Sequence, residues 1–143
     1  MEWQRDEYCI STDRDRLNIQ MIHNYLSQSS YWAEGRSIER VRRSIENSLS
    51  FGVYFKDKQV GFARVVTDYA TFGWLADVFI LNEYRGRGLS KWLVETIVEH
   101  PELQGMRRFL LATRDAHGLY RRYGFNNLED PARWLVKLND SAK

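Results

Sequence analysis

The sequence predicts an α/β (α+β) domain in which helices pack on a mixed sheet. Three observations predict it. Between Phe51 and Leu81, runs rich in β-branched and aromatic residues are joined by short polar connections. Amphipathic helical patterns lie on either side of that block. A Gly-rich turn then leads from a strand into a strong helix, after which further strands are expected. With 143 residues, 43% of them hydrophobic, the chain is long enough to bury a core. No repeat or linker interrupts it, so residues 1–143 are expected to form one domain.

Taken in order, the first strand is expected at Glu7–Ser11, with Thr12 or Asp13 as the cap of a following helix. Leu17, Met21, Ile22, Tyr25 and Leu26 recur at helical spacing up to about Ser29. Ser37 can cap a second helix whose Ile38, Val41, Ile45 and Leu49 share one face. Its other face is charged and reads as solvated. Phe51–Phe55, Val60–Thr67 and Thr71–Leu81 then read as an antiparallel meander. A helix bearing Leu89, Trp92, Leu93, Thr96, Ile97 and His100 on one face ends at Pro101. Arg108–Ala112 reads as a buried strand, Asp115–Tyr123 as a short helix stopped by Gly124, and Trp134–Leu138 as a last strand.

Composition excludes several classes of function. Twenty-one Lys and Arg face nineteen Asp and Glu, so the charge is too balanced for a nucleic-acid binder. Only Arg36, Arg40, Arg42 and Arg43 cluster. No apolar run approaches the ~20 residues of a membrane helix, and residues Met1–Asp6 lack the apolar core expected of a signal peptide. The single Cys9 cannot form an internal disulfide, and no metal is expected. A cytoplasmic protein is the expectation, as a monomer or a homo-oligomer.

The turn Arg85-Gly86-Arg87-Gly88 precedes a helix, whose first N–H groups and positive dipole end attract anions. Gly86 and Gly88 let backbone approach a bulky ligand, and Arg85, Arg87 and Lys91 add charge. The combination suits a diphosphate. It is not a P-loop, because no Gly-x-x-x-x-Gly-Lys-Ser/Thr is present. Nor is it a dinucleotide fingerprint, because Lys91 stands where the third glycine belongs.

The stretch Val78-Phe79-Ile80-Leu81-Asn82-Glu83-Tyr84-Arg85-Gly86-Arg87-Gly88-Leu89-Ser90 resembles the acyl-CoA-binding motif of the GNAT superfamily of N-acetyltransferases. Arg85 and Gly88 match that motif, and Ser90 replaces its final small residue. Ala116-His117-Gly118-Leu119-Tyr120-Arg121-Arg122-Tyr123-Gly124-Phe125 is similar to the family's C-terminal Ala-x-x-Leu-Tyr-x-x-x-Gly-Phe pattern. Thr113 stands where many members carry Asn, so a side-chain contact to the pantetheine arm is altered.

The resemblance implies helices on both sheet faces and a splayed central strand pair with acetyl-CoA in the opening. It also implies transfer of an acetyl group to a primary amine, of a small molecule or a protein, by direct attack. Cofactor contacts would come from Val78, Phe79, Ile80, Arg85, Gly86, Arg87, Gly88, Leu89, Ser90, Lys91 and Thr113. Tyr120 matches the family's general acid, and an ordinary phenol, with a pKa of ~10, is protonated near neutrality. Asp77, just before the cofactor strand, is the first candidate for the base; Glu34, Glu83 and His117 are alternatives. Tyr31, Trp32 and Glu34, in the loop between the first two helices, are expected to contact the acceptor, with Arg36 beside them. A homodimer is expected on the same ground. The competing reading is a non-catalytic acyl-CoA-binding or sensor domain.

Overall fold

The computed structural model describes residues 1–143. A six-stranded sheet runs in the order β1-β2-β3-β4-β5-β6, with every neighbouring pair antiparallel except the parallel β5/β6. The strands are β1 (Glu2–Arg5), β2 (Tyr8–Ser11), β3 (Leu49–Phe55), β4 (Lys58–Thr67), β5 (Phe72–Ile80) and β6 (Arg108–Leu110). Helices α1 (Ile19–Ser29) and α2 (Ile38–Glu46) fall between β2 and β3. Helix α3 (Leu89–Val98) makes the crossover from β5 to β6, and α4 (His117–Arg121) follows β6. No helix is long and apolar enough to cross a membrane.

Two apolar clusters show that helices cover both faces. On one face, Leu89, Trp92, Leu93 and Ile97 of α3 pack with Phe51, Val53, Val65, Leu75 and Ile80 of the sheet. On the other, Ile22, Leu26, Val41 and Ile45 of α1 and α2 pack with the cross-strand pair Phe62 and Phe79. Phe79 and Ile80 therefore point to opposite sides, as the two-residue period of a strand requires. The lone Cys9 is buried on β2.

The structure corrects four expectations. The first strand is one arm of a hairpin: β1 pairs with β2 through Asp6, which adopts φ 55°. Glu2–Arg5 carries one apolar residue, so nothing in its pattern announced a strand. The cap of α1 is Asn18, whose side chain accepts from Met21 N–H at 3.0 Å, while Asp13 caps a 3-10 turn at Arg14–Arg16. Leu17 lies outside the helix and packs on the cluster that contains Ile22, a hydrophobic staple. Leu49 belongs to β3 rather than to α2; the Ser37 cap forms as expected, accepting from Arg40 N–H.

The fourth correction concerns the C-terminus. Trp134–Leu138 forms no strand, and Leu135, Val136 and Leu138 are 96%, 78% and 76% exposed. Its β-prone residues find no ladder partner, and propensity without a partner does not make a strand. The segment instead lies along a groove of about 1040 Å³ beside β6, where Arg108 sits 5.7 Å from the Trp134 ring. In consequence β6 is an edge strand, and the parallel pair is not central to the sheet.

Candidate active site

The β5/β6 pair opens soon after it forms. Phe72, Gly73 and Trp74 pair with Arg108, Phe109 and Leu110, and there β6 ends while β5 continues to Ile80. Val78, Phe79 and Ile80 thus present backbone on a side without a strand partner. Val78 is half-buried against the α3-side core, and Phe79 stacks on Tyr25 of α1 at 3.9 Å between centroids.

At the far end of β5 lies the Gly-rich turn. Gly86 and Gly88 both adopt φ 77°, and a Cβ on either would meet nothing within 4 Å. Left-handed backbone, rather than crowding, calls for glycine there. Gly88 is the N-cap of α3 and no side chain caps that helix, whereas Asn18 caps α1 and Ser37 caps α2. The N–H groups of buried Leu89, half-buried Ser90 and exposed Lys91 therefore remain for an outside acceptor.

Arg85 and Arg87 are more committed than the sequence suggests. Arg85 donates to Ile80 O at 3.0 Å, Asn82 Oδ1 at 3.3 Å and the Tyr25 hydroxyl at 2.7 Å. Arg87 donates to the Tyr8 hydroxyl at 2.8 Å and Glu83 O at 3.3 Å. These bonds shape the turn; all three cations are exposed, and Lys91 is the one that no hydrogen bond or ion pair engages.

After β6, Tyr120 of α4 is 9% exposed, with its ring edge-on to Phe125 at 6.0 Å. Gly124, at φ 95°, ends the turn and lets Phe125 N–H return to Tyr120 O. Burial pushes the Tyr120 phenol up to about 12, helped by neighbouring Tyr31 and Asp115. Thr113 accepts Ala116 N–H at 3.1 Å, so its hydroxyl supports the start of α4. Thr113, His117 and Tyr120 all line the groove beside β6.

The loop between α1 and α2 spans this opening. Tyr31 Oη accepts Arg114 N–H at 3.1 Å, on the segment that follows β6, and the Arg114 guanidinium lies 3.8 Å from its ring centroid. Trp32 Nε1 donates to Asp77 Oδ1 at 2.9 Å, on β5. Arg36 and Arg64 donate to Asp77 Oδ2 at 2.8 and 2.6 Å. Glu34 is exposed. The expected base is therefore paired on both oxygens, and its side chain is 2% exposed.

The sequence reading missed Arg64 and Arg114. A signal for Arg64 was present: a guanidinium inside the apolar run Val60–Val66 demands a buried partner. Arg114 carried none, because its place over Tyr31 depends on a contact between distant segments.

The profile of the acetyltransferase (GNAT) family matches residues 19–125. The chain belongs to the GNAT acetyltransferase family. The crystal structure of a GNAT-family acetyltransferase candidate from Xanthomonas campestris pv. campestris superposes with TM-score 0.90 at 49% identity, covering 92% of this chain and 93% of that one. An acetyltransferase candidate of Gibberella zeae is 32% identical over 140 residues, spanning 82% of this GNAT chain and 78% of the relative. The spermine/spermidine N(1)-acetyltransferase of Bacillus subtilis is 28% identical over 126 residues, spanning 80% and 83%.

Buried phenols give this GNAT domain an alkaline limit. Tyr54, whose hydroxyl has no partner, is also pushed up to about 12 by burial. Between about pH 10 and 12 the unfolded chain releases protons that the folded chain keeps, so stability falls as pH rises through that window. Thermal unfolding from neutrality to strong alkali should show this loss. Phenolate absorbance should show a late-ionising component from Tyr54 and Tyr120. Tyr54→Phe removes part of the loss.

Proposed function

We propose that this GNAT protein catalyses acetyl transfer from acetyl-CoA to a primary amine by direct attack, as a cytoplasmic enzyme. The observation that carries the reading is that an uncapped α3, an unpartnered length of β5 and buried Tyr120 share one apolar cluster, through Leu89, Ile80 and the Tyr120 ring. Each fits a part of the donor. The N–H groups of Leu89, Ser90 and Lys91, reached past Gly86 and Gly88, suit a diphosphate. The backbone of Val78–Ile80 suits the pantetheine amides, which take the place of a ladder partner.

Acetyl-CoA supplies the thioester whose carbonyl carbon the neutral amine attacks. The chain's own task is to align the two reactants and to manage charge on the departing sulfur. Tyr120, held protonated by burial, donates its hydroxyl to that sulfur. Tyr31, Trp32 and Glu34 border the acceptor's approach, and exposed Glu34 offers a charge for a cationic amine.

The test is thermal unfolding with acetyl-CoA, with ATP and NAD as controls. Saturation at a hundred times Kd stabilises the fold by about 2.7 kcal/mol, so acetyl-CoA alone should raise Tm by several degrees. Release of free thiol is then followed over an amine panel, with spermine and spermidine first because a relative acts on them. No shift would overturn the reading. A shift without turnover on any amine would favour the acyl-CoA-binding alternative.

A further inference from the structure

We propose that Asp77 is a positioning residue: it is the post that holds the acceptor loop Tyr31–Arg36 across the β5/β6 opening, and it is not the base that takes the amine's proton. The proposal rests on the acetyl-transfer reading. Its origin is a β-bulge. Phe62 pairs with Phe79 and Arg64 with Ala76, so Asp77 and Val78 together face Ala63. Asp77 sits in that bulge at φ 56°, a backbone region that Asp tolerates better than most side chains. The bulge turns its carboxylate toward Trp32, Arg36 and Arg64.

Three donors, two of them cationic, occupy a carboxylate that has about four lone-pair sites in all. To accept a proton on Oδ2, Asp77 would have to give up charged bonds to Arg36 and Arg64. A base must also come within about 3.2 Å of the proton it removes, or one water away. The buried side chain, 2% exposed, offers no such approach.

What the three bonds do is mechanical. Arg64 also donates to Ser48 Oγ at 3.2 Å, and Ser48 Oγ donates to Ser44 O at 2.6 Å, so the post is braced against the end of α2. His23 Nε2 meets Arg36 O at 3.0 Å, bracing the loop against α1. From this fixed side the loop reaches to Arg114 through Tyr31. The side chains that border the acceptor thus hang between a rigid anchor on β5 and the two contacts of Tyr31 with Arg114 beyond β6.

Two variants test the role. Asp77→Asn keeps the side chain's shape but turns an amide N–H₂ or a neutral oxygen toward two guanidinium groups. Trp32→Phe removes one donor and leaves Asp77 intact. As a positioning residue, Asp77 responds through acceptor binding. Asp77→Asn should raise the acceptor KM about tenfold with kcat changed by less than about threefold. The acidic limb of kcat/KM against pH should keep its midpoint, and the thermal shift with acetyl-CoA should persist. Trp32→Phe should raise the acceptor KM about threefold, and amide exchange at residues 31–36 should quicken in both variants.

A fall in kcat of about 100-fold or more with loss of the acidic limb and an unchanged acceptor KM would make Asp77 the base. Unaltered exchange at residues 31–36 would show that it does not hold the loop. Either result overturns the proposal. If Asp77→Asn fails to fold, Trp32→Phe decides through amide exchange at residues 31–36, and unaltered exchange there overturns the proposal. If the wild-type protein shows no acetyl-CoA shift, the functional reading fails by itself, while the exchange comparison still decides whether Asp77 holds the loop.

Discussion

Tyr120→Phe lowers kcat about 10- to 100-fold and leaves the acetyl-CoA thermal shift unchanged. The size follows from the state of the phenol. Burial raises it to about 12, whereas an ordinary alkyl thiol titrates near ~8.5. Complete transfer of the proton to the thiolate would then run about 5 kcal/mol uphill, at 1.36 kcal/mol per pKa step. In the proposed reaction Tyr120 would thus serve as a hydrogen-bond donor to developing negative charge, with solvent completing the protonation. A bond to a charged group is worth roughly 1.5–3 kcal/mol, which sets the expected loss. The same argument fixes the pH profile: Tyr120 gives no descending limb to kcat below about pH 10, because it stays protonated throughout. Steady-state thiol release by both proteins across pH checks this. An unchanged kcat would remove Tyr120 from the chemistry.

Gly88→Val should cost both stability and donor binding. At φ 77°, ψ 11° a β-branched residue is strained by about 2 kcal/mol, since left-handed backbone crowds its Cβ. The branched side chain would also stand at the entrance to the unpaired N–H groups of α3. The expected result is a Tm lowered by several degrees and an acetyl-CoA affinity at least about tenfold weaker. Gly118→Ala is the control. Gly118 is helical and its Cβ would meet nothing within 4 Å, so alanine should stabilise α4 by about 0.5–1 kcal/mol and leave the acetyl-CoA shift intact. Equal loss of binding in both variants would sink the role given to the turn.

Much of this was legible in the sequence because it is local. The meander from β3 to β5, the Ser37 cap, the crossover helix and the Gly124 stop each follow from neighbours a few residues apart. The family pattern singled out Tyr120 and the turn for the same reason. What the sequence left hidden depends on distant partners. The weakly patterned β1 exists only because β2 pairs with it, and the strongly patterned Trp134–Leu138 fails because nothing does. Likewise Asp77 looked like a free acid, because Trp32, Arg36 and Arg64 lie 45, 41 and 13 residues away in the chain.

The shortness of the parallel pairing carries a further consequence. β4 and β5 are joined along most of their length, whereas β6 is tied to β5 through three residue pairs. Everything beyond that ladder, including Tyr120, hangs on few backbone bonds and should open as a sub-global unit well before the meander unfolds. Donor binding would bridge β5 and that unit, closing it by linkage. Substrate would then complete the folding of the segment that carries Tyr120.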